Sequence, residues 1–240
     1  MKRLALIGQD TPLALERCLR RHGYSCLRAP AEPRLPRPVR GHPDLSVFFA
    51  PDALYTTADY AARASAELRV LCRSLGLPLR LVTGRVGDRY PQDVLLDALA
   101  VGGRLFCLPQ ATAPELTARP DLRVVPVRQG YAKCAALPVA DQAIVSADPS
   151  ILQAAERDGL PICRIEPGGV RLCGYSTGLI GGAASYAPYR PADTVFFCGS
   201  LSTHPSGAEI QHLLTAHGLA VTELADMPLT DIGTIFLLEA

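Results

Sequence analysis

Lys133 is the first residue with chemistry to offer. The 240-residue chain carries 24 lysines and arginines together, only Lys2 and Lys133 are lysines, and Lys133 falls inside the run Gln129-Gly130-Tyr131-Ala132-Lys133-Cys134. A lysine shifts its pKa on burial and can act as a base, form a Schiff base or anchor a carboxylate; a rim ion pair is the plainer role. Read as a strand, the run turns neighbours to opposite faces, so a Lys133 that faces a ligand places Cys134 in the core. Asp97, in Leu96-Asp97-Ala98-Leu99, and Asp231, which shares the C-terminal segment with Thr234, are carboxylates beside apolar residues. Buried, each needs a partner, and Lys133 is the natural one. Tyr131 and Tyr175 follow matching glycines and serve either as hydroxyl donors and flat walls for a small planar ligand or as packed core. His204, in Ser202-Thr203-His204-Pro205, sits at a helix entry where free amides favour an anion, or where Ser202 or Thr203 simply caps the helix. The catalytic candidates are Lys133, His204 and Asp231. The ligand-binding candidates are Asp97, Tyr131, Lys133, Tyr175 and Asp231.

Eight cysteines form no CxxC pair, and Cys26, Cys107, Cys163 and Cys198 lie in apolar runs, where cysteine packs as a small hydrophobe. His212 and His217 belong to a helix, His22 to a helix end and His42 to a loop. No His-Cys-carboxylate grouping has metal-ligand spacing, so neither a metal nor a cofactor is expected. Hydrophobic residues make up 48% and charged residues 20%, with net charge +1, the composition of a globular protein large enough for its own core. Nothing in that balance implies a nucleic-acid or membrane partner; a small molecule is the expected one, and the oligomeric state stays open. The opening apolar run, Leu4 to Ile7, is too short for a signal peptide, and no run of about 18 apolar residues occurs. A cytoplasmic protein is expected. No lysine or arginine lies beyond Arg190, a skew that guides an oligomer contact or anionic ligand, or is only a solvated surface.

These residues must be held by repeated elements. Strand 141–145, a helix from Pro149 to Arg157 capped by Asp148, and strand 162–165 after Gly159 form one unit. Strand 194–197, a helix from Thr203 to His217, and a strand after Gly218 repeat it. The N-terminus adds strand 4–7, helix 11–21 and Gly23 before a strand; strand 46–49, helix 57–74 and Gly76 before Leu77 add a fourth. In each, a glycine closes the helix as a left-handed cap. A fifth, lacking that glycine, spans strand 104–108, a short helix from Pro114 to Ala118, and strand 122–125. Between the first and second units, five prolines among residues 30–43 make a stiff connector. Segments 130–134 and 174–180 read as leading strands of two units, and 230–238 as the one missing from the N-terminal unit. The approximate units are 228–240 with 1–30, then 31–90, 91–127, 128–167 and 168–227, about 48 residues each, a repeat length typical of arrays and propellers. Pairing of the two ends removes exposed sheet edges.

On these residues the sequence resembles the pentein, or guanidine-modifying-enzyme, superfamily, and more narrowly an uncharacterised bacterial branch of it. The resemblance rests on Gln129 to Cys134, on Gly174 to Gly182 and on Asp231 to Gly233. It implies one α/β domain, a five-bladed α/β propeller of ββαβ units closed by its terminal segments, with the candidates facing a central pore. A doubly wound Rossmann-like sheet is the competing fold, although no Gly-rich phosphate loop follows a strand. Enzymes of the superfamily use a C-terminal cysteine nucleophile, whose place here falls on Phe236; their histidine falls near Tyr175 to Thr177, and their acidic signature on Gln129-Gly130-Tyr131. The resemblance therefore implies binding of a small guanidino-, amino-acid- or carboxylate-type ligand without the usual thiol chemistry. The alternatives are a hydrolase or transferase with a rearranged Lys/His site, and a non-catalytic interaction protein.

Overall fold

The computed structural model describes residues 2–187 and 193–240. In chain order the elements are β1 (Arg3–Gly8), α1 (Leu13–Arg21), β2 (Tyr24–Ala29), β3 (Val47–Ala50), β4 (Ala53–Thr57), α2 (Ala58–Arg63), α3 (Ser65–Leu75) and β5 (Leu79–Val82). Then come β6 (Leu99–Val101), β7 (Arg104–Cys107), α4 (Pro114–Thr117), β8 (Arg123–Pro126), α5 (Ala132–Ala135), β9 (Ala136–Val139), β10 (Ala143–Ser146), α6 (Pro149–Arg157) and β11 (Ile162–Arg164). The chain closes with β12 (Ala184–Ala187), β13 (Thr194–Phe197), α7 (Gly207–Ala216), β14 (Ala220–Glu223) and β15 (Phe236–Glu239). The strands form five three-stranded sheets, ordered β15-β1-β2, β3-β4-β5, β6-β7-β8, β9-β10-β11 and β12-β13-β14. Each has one design: the leading strand runs antiparallel to the central strand, which pairs in parallel with the third. A single doubly wound sheet is thereby excluded. β15 supplies the leading strand for β1, with Leu4 opposite Leu238 and Leu6 opposite Phe236.

The central strands are mostly apolar because both of their faces are buried. Successive side chains point opposite ways, and each way leads to a different neighbour. Leu4 and Leu6 of β1 pack with Val47, Leu54 and Tyr60, while Ala5 and Ile7 pack with Phe196 and Cys198. Leu105 of β7 joins Tyr55 and Phe48; its neighbour Phe106 joins Ile144 and Ile151. Val145 of β10 and Val195 and Phe197 of β13 share a further cluster with Ile210. Five apolar clusters thus join sheet to neighbouring sheet, including the last to the first. Helices cover them with spaced apolar residues such as Leu15, Cys18 and Leu19 of α1. Asp148 caps α6 as expected, accepting from the Ser150 and Ile151 amides at 2.8 and 3.0 Å. Gly23, Gly76, Gly159 and Gly218, which follow four of the helices, all have positive φ, between 66° and 85°, where an L-residue would be strained.

Several expectations need correction. Ser46–Phe49 is not the strand that feeds the long helix: β3 turns at Pro51-Asp52 into β4, and residues 57–74 form two helices that meet at Ala64. Neither Gly130–Cys134 nor Gly174–Ile180 is a leading strand. Both precede one, residues 132–135 as the helical turn α5 and 174–180 as turns. The terminal strand is confined to Phe236–Glu239. The proline-rich connector is a packed strap, with Leu35 and Val39 buried against Leu45 and Val86 and the Glu32 carboxylate bonded to Arg63 at 2.7 Å.

Candidate functional site

Five loop segments, one beside each sheet, meet in a buried polar cluster. The strap ends in His42 and a 3-10 turn, Pro43–Leu45, that carries Asp44; Asp97 precedes β6; α5 carries Lys133 and Cys134; Gly181 and Gly182 precede β12; Asp231 to Thr234 lead into β15. Backbone bonds lock them together, from Gly182 N to Cys134 O (3.0 Å), from Ile232 and Thr234 N to Gly182 O (both 3.1 Å) and from Asp44 N to Gly233 O (3.3 Å). The motif glycines are what permit this approach. A Cβ on Gly181 would lie 2.2 Å from the Lys133 carbonyl oxygen, and one on Gly233 would lie 2.2 Å from the His42 Cβ.

Asp44, Asp97, Cys134, Asp231 and Thr234 are all buried. The Cys134 thiol donates to Asp44 Oδ2 at 2.9 Å. Thr234 Oγ1 lies 2.8 Å from that same oxygen and 2.8 Å from the Gly181 carbonyl, so its one proton serves either acceptor. Lys133 Nζ donates to Thr234 Oγ1 at 3.0 Å and to the Gly181 carbonyl at 3.4 Å. Thr234 has φ 65°, an uncommon conformation for a β-branched residue and one that persists only where its surroundings enforce it. Asp97 Oδ1 accepts from the backbone amides of Lys133 (2.6 Å) and Cys134 (3.3 Å), and Asp231 accepts from Gly233 and Leu179 amides at 3.0 and 2.9 Å. His42 Nδ1 is 3.9 Å from Asp231 Oδ1. Asp44 Oδ1 and Asp97 Oδ2 are buried with no hydrogen-bond partner among the described residues.

The electrostatics follow from that geometry. Burial, reinforced by Asp44, holds the Asp97 carboxyl well above the usual carboxylate range. Burial also raises Asp231, against the opposing pull of His42 and two amides. The Cys134 thiol is pushed far up by burial and by Asp44, Asp97 and Asp231. A thiol so placed is protonated and inert until a cation joins it.

Two cavities flank the cluster. One of about 220 Å³ is lined by His42, Gln129, Tyr131, Cys134, Tyr175 and Asp231, with apolar residues between them. A narrower one of about 90 Å³ is lined by Asp44 and Lys133 with Phe49 and Phe236. Tyr131 is half-buried and its hydroxyl donates to the Asp93 carboxylate; Tyr175 is 47% exposed. Among the sequence candidates, Tyr131, Tyr175 and Asp231 therefore share one cavity and Lys133 lines the other, while Asp97 lies buried beside α5. The expected Lys133 pairing with Asp97 or Asp231 is replaced by Lys133–Thr234, and both carboxyls take backbone amides instead. Cys134 is not diverted into apolar core, because on a helical turn it reaches the same cluster as Lys133. His204 lies apart. It lines a different cavity of about 200 Å³ with Asp148 and Glu166, is buried, and accepts from Ser206 N through Nδ1 at 3.0 Å. Burial lowers its pKa. Neither Ser202 nor Thr203 caps α7, which begins after Ser206.

Sequence reasoning missed His42 and Asp44. Their His-x-Asp spacing was visible, but nothing local linked it to Cys134, ninety residues on. The three nevertheless place an imidazole nitrogen, a carboxylate oxygen and a sulfur within 4.8 Å of one another.

Five repeated three-stranded sheets thus surround a convergent polar centre. Over 94% of this chain and 93% of the other, with a TM-score of 0.54 and 12% identity, the structure is similar to a crystallised dimethylarginine dimethylaminohydrolase, a histidine-to-glycine variant captured as an adduct with S-methyl-L-thiocitrulline. That likeness shows the fold. The chain itself belongs to a family of unknown function, DUF6873, whose model matches residues 6–236. No curated protein sequence matches it. No helix among the described residues is long and apolar enough to cross a membrane.

Proposed function

We propose that the chain is one closed five-bladed α/β propeller that binds a small polar molecule in its central pore, without the C-terminal thiol chemistry of its enzyme relatives. The observation that carries this is the cavity of about 220 Å³ between Tyr131, Tyr175, His42 and Asp231. It is smaller than the roughly 300–1,000 Å³ typical of drug-sized ligands, so its occupant is a metabolite-sized group. Of the guanidino, amino-acid and carboxylate classes, a cationic guanidino or amino group fits best. Cys134 and the cavity wall stand among Asp44, Asp97 and Asp231, and a cation entering there offsets the cost of burying those carboxyls. Tyr131 and Tyr175 supply flat faces for a planar cation.

A thermal-shift screen of guanidino, ureido, amino-acid and carboxylate compounds tests this. A true ligand at about 100 times its dissociation constant stabilises by roughly 2.7 kcal/mol. Guanidino or amino compounds are expected to raise the midpoint of the wild type, and Tyr175→Ala, a half-exposed position, to abolish the rise without lowering the unliganded midpoint. A screen in which no compound binds sinks the reading and leaves the interaction-protein alternative. A second reading, an enzyme with a rearranged Lys site, is favoured by the enforced backbone of Thr234 and its bond to Lys133 Nζ; product formed from a bound compound in the same screen is its signature.

A further inference from the structure

We propose that His42, Asp44 and Cys134 form a binding site for a single thiophilic divalent cation of the zinc type, placed at the wall of the pore cavity with its remaining position open to a water or ligand. The inference goes beyond small-molecule binding and does not depend on it.

The donor set is the first support. One imidazole nitrogen, one carboxylate oxygen and one sulfur, all within 4.8 Å of one another, are the mixed N, O and S ligands that zinc takes at about 2.0 to 2.3 Å. Donors around a tetrahedral ion of that size stand roughly 3 to 4 Å apart, so small side-chain rotations bring these three onto one centre. Calcium and magnesium, which require oxygen ligands, are poorly served by a sulfur.

The second support is independent of the grouping. Asp44 is only 1% exposed, and its Oδ1 has no hydrogen-bond partner among the described residues. Its other oxygen accepts from the Cys134 thiol and lies 2.8 Å from Thr234 Oγ1. A buried carboxylate oxygen without a partner carries the full cost of its desolvation, and a coordinated cation removes it. Lys133 does not, since its Nζ is engaged with Thr234 and the Gly181 carbonyl.

The third is access and support. His42 and Cys134 line the open cavity, with Asp231 beside them, so an ion has a route in and a free side facing the occupant. Asp231 Oδ1 lies 3.9 Å from His42 Nδ1, beyond hydrogen-bond range but close enough to accept the Nδ1 proton once the ring turns to bind the ion through Nε2, as carboxylates do for metal-bound histidines. When the ion binds, the Cys134 S–H bond breaks, the sulfur's electron pair goes to the metal, and the proton leaves to solvent. Nothing is oxidised or reduced.

The test uses the full chain, stripped with a chelator and titrated with cobalt(II) in the absence of any metabolite. Expected are one cobalt per chain, the near-ultraviolet band of a thiolate-bound ion with the visible bands of a tetrahedral one, and displacement of both by zinc. Cys134→Ala and His42→Ala should lose the spectrum, and Cys173→Ser, at an exposed cysteine, should keep it. Absence of the bands in folded wild type overturns the site. So does a spectrum that vanishes with Cys173→Ser and survives Cys134→Ala. Should the central variants not fold, zinc-edge X-ray absorption on the wild type decides: one sulfur with nitrogen and oxygen neighbours supports the site, and a shell without sulfur or with several sulfurs refutes it. Because no metabolite is present, failure here leaves the small-molecule reading standing, and the reverse holds for the thermal-shift screen.

Discussion

The acidic groups at the rim and those at the centre live in opposite regimes. Near the surface, Glu16 is held by Arg20 and Arg28, Asp121 by Arg119, and Asp158 by Arg123 and Arg104, and every one of these carboxylates titrates below its ordinary value for that reason. At the centre, Asp97 and Asp231 are raised, burial is the main cause, and among the described residues no arginine is bonded to either. Rim charges are matched by opposite charges within the fold, where pairing is worth little; the central carboxyls are held by backbone amides instead, and a buried carboxyl with a raised pKa in a cleft is a candidate functional group.

The largest effect should come from breaking the centre mechanically. In Gly181→Ala the new methyl meets the Lys133 and Ala136 carbonyl oxygens at 2.2 and 2.4 Å, backbone atoms that cannot rotate away. Overpacking of this kind costs about 3 kcal/mol, read as a fall in the urea midpoint with an unchanged slope. A neutral outcome would mean that the five segments are not tightly docked, and the contrast between rim and centre would lose its structural basis.

Asp97→Asn sharpens the same contrast. Asparagine keeps the oxygen that accepts from the Lys133 and Cys134 amides while removing the buried charge. A carboxyl raised in the folded state makes stability greatest below its ordinary unfolded value and lowers it as pH rises through the folded value. The variant should therefore be more stable than wild type above neutrality, by about 2 kcal/mol, and equal to it in acid. Melting curves between acid and mildly alkaline pH check this, and an advantage that grows toward acid would reverse the assignment.

Much of the fold was legible because it is local and repeated. The short apolar runs at Leu4 to Ile7 or Thr194 to Phe197, the Asp148-Pro149 helix start and the glycines after the helices each follow from propensities a few residues long, and their repetition made the count visible. The leading strand supplied by the C-terminus was legible too, as the one element missing from the first unit. β4 was not, since Tyr55-Thr56-Thr57 runs directly into helix and the turn at Pro51-Asp52 hides between two apolar stretches. At the centre, the motifs lie on loops that converge, and Tyr131, Tyr175 and Asp231 line one cavity. The partnerships were illegible. Reading residues 130–134 as a strand sent Cys134 away from Lys133, when a single helical turn aims both inward; and His42 and Asp44 ride on a proline-rich strap whose composition shows only stiffness. Which side chains meet at the centre is decided by five loops from distant parts of the chain, and no local pattern encodes that.

The smallest effect belongs to the rim, and its sign separates the two regimes. Asp158 follows the last turn of α6, an unfavourable end of the helix dipole for a negative charge, and Arg104 from β7 and Arg123 from β8 compensate it. Asp158→Asn loses two ion pairs but also relieves the dipole and frees solvated side chains, so the net loss at neutral pH is small. Because the two guanidinium groups lower the carboxyl, its contribution is present above the ordinary carboxylate pKa and is lost as pH falls through the depressed value. The stability of the variant relative to wild type should thus fall as pH rises from acid, opposite in sign to Asp97→Asn, and the effect should fade with added salt, which screens exposed pairs and leaves buried ones almost untouched. Measuring both variants across pH at low and high salt yields two curves. Opposite slopes, with only the rim slope sensitive to salt, confirm that the surface matches its own charges while the centre does not; parallel slopes would place both regions in the same regime and remove the electrostatic case for an occupant in the pore.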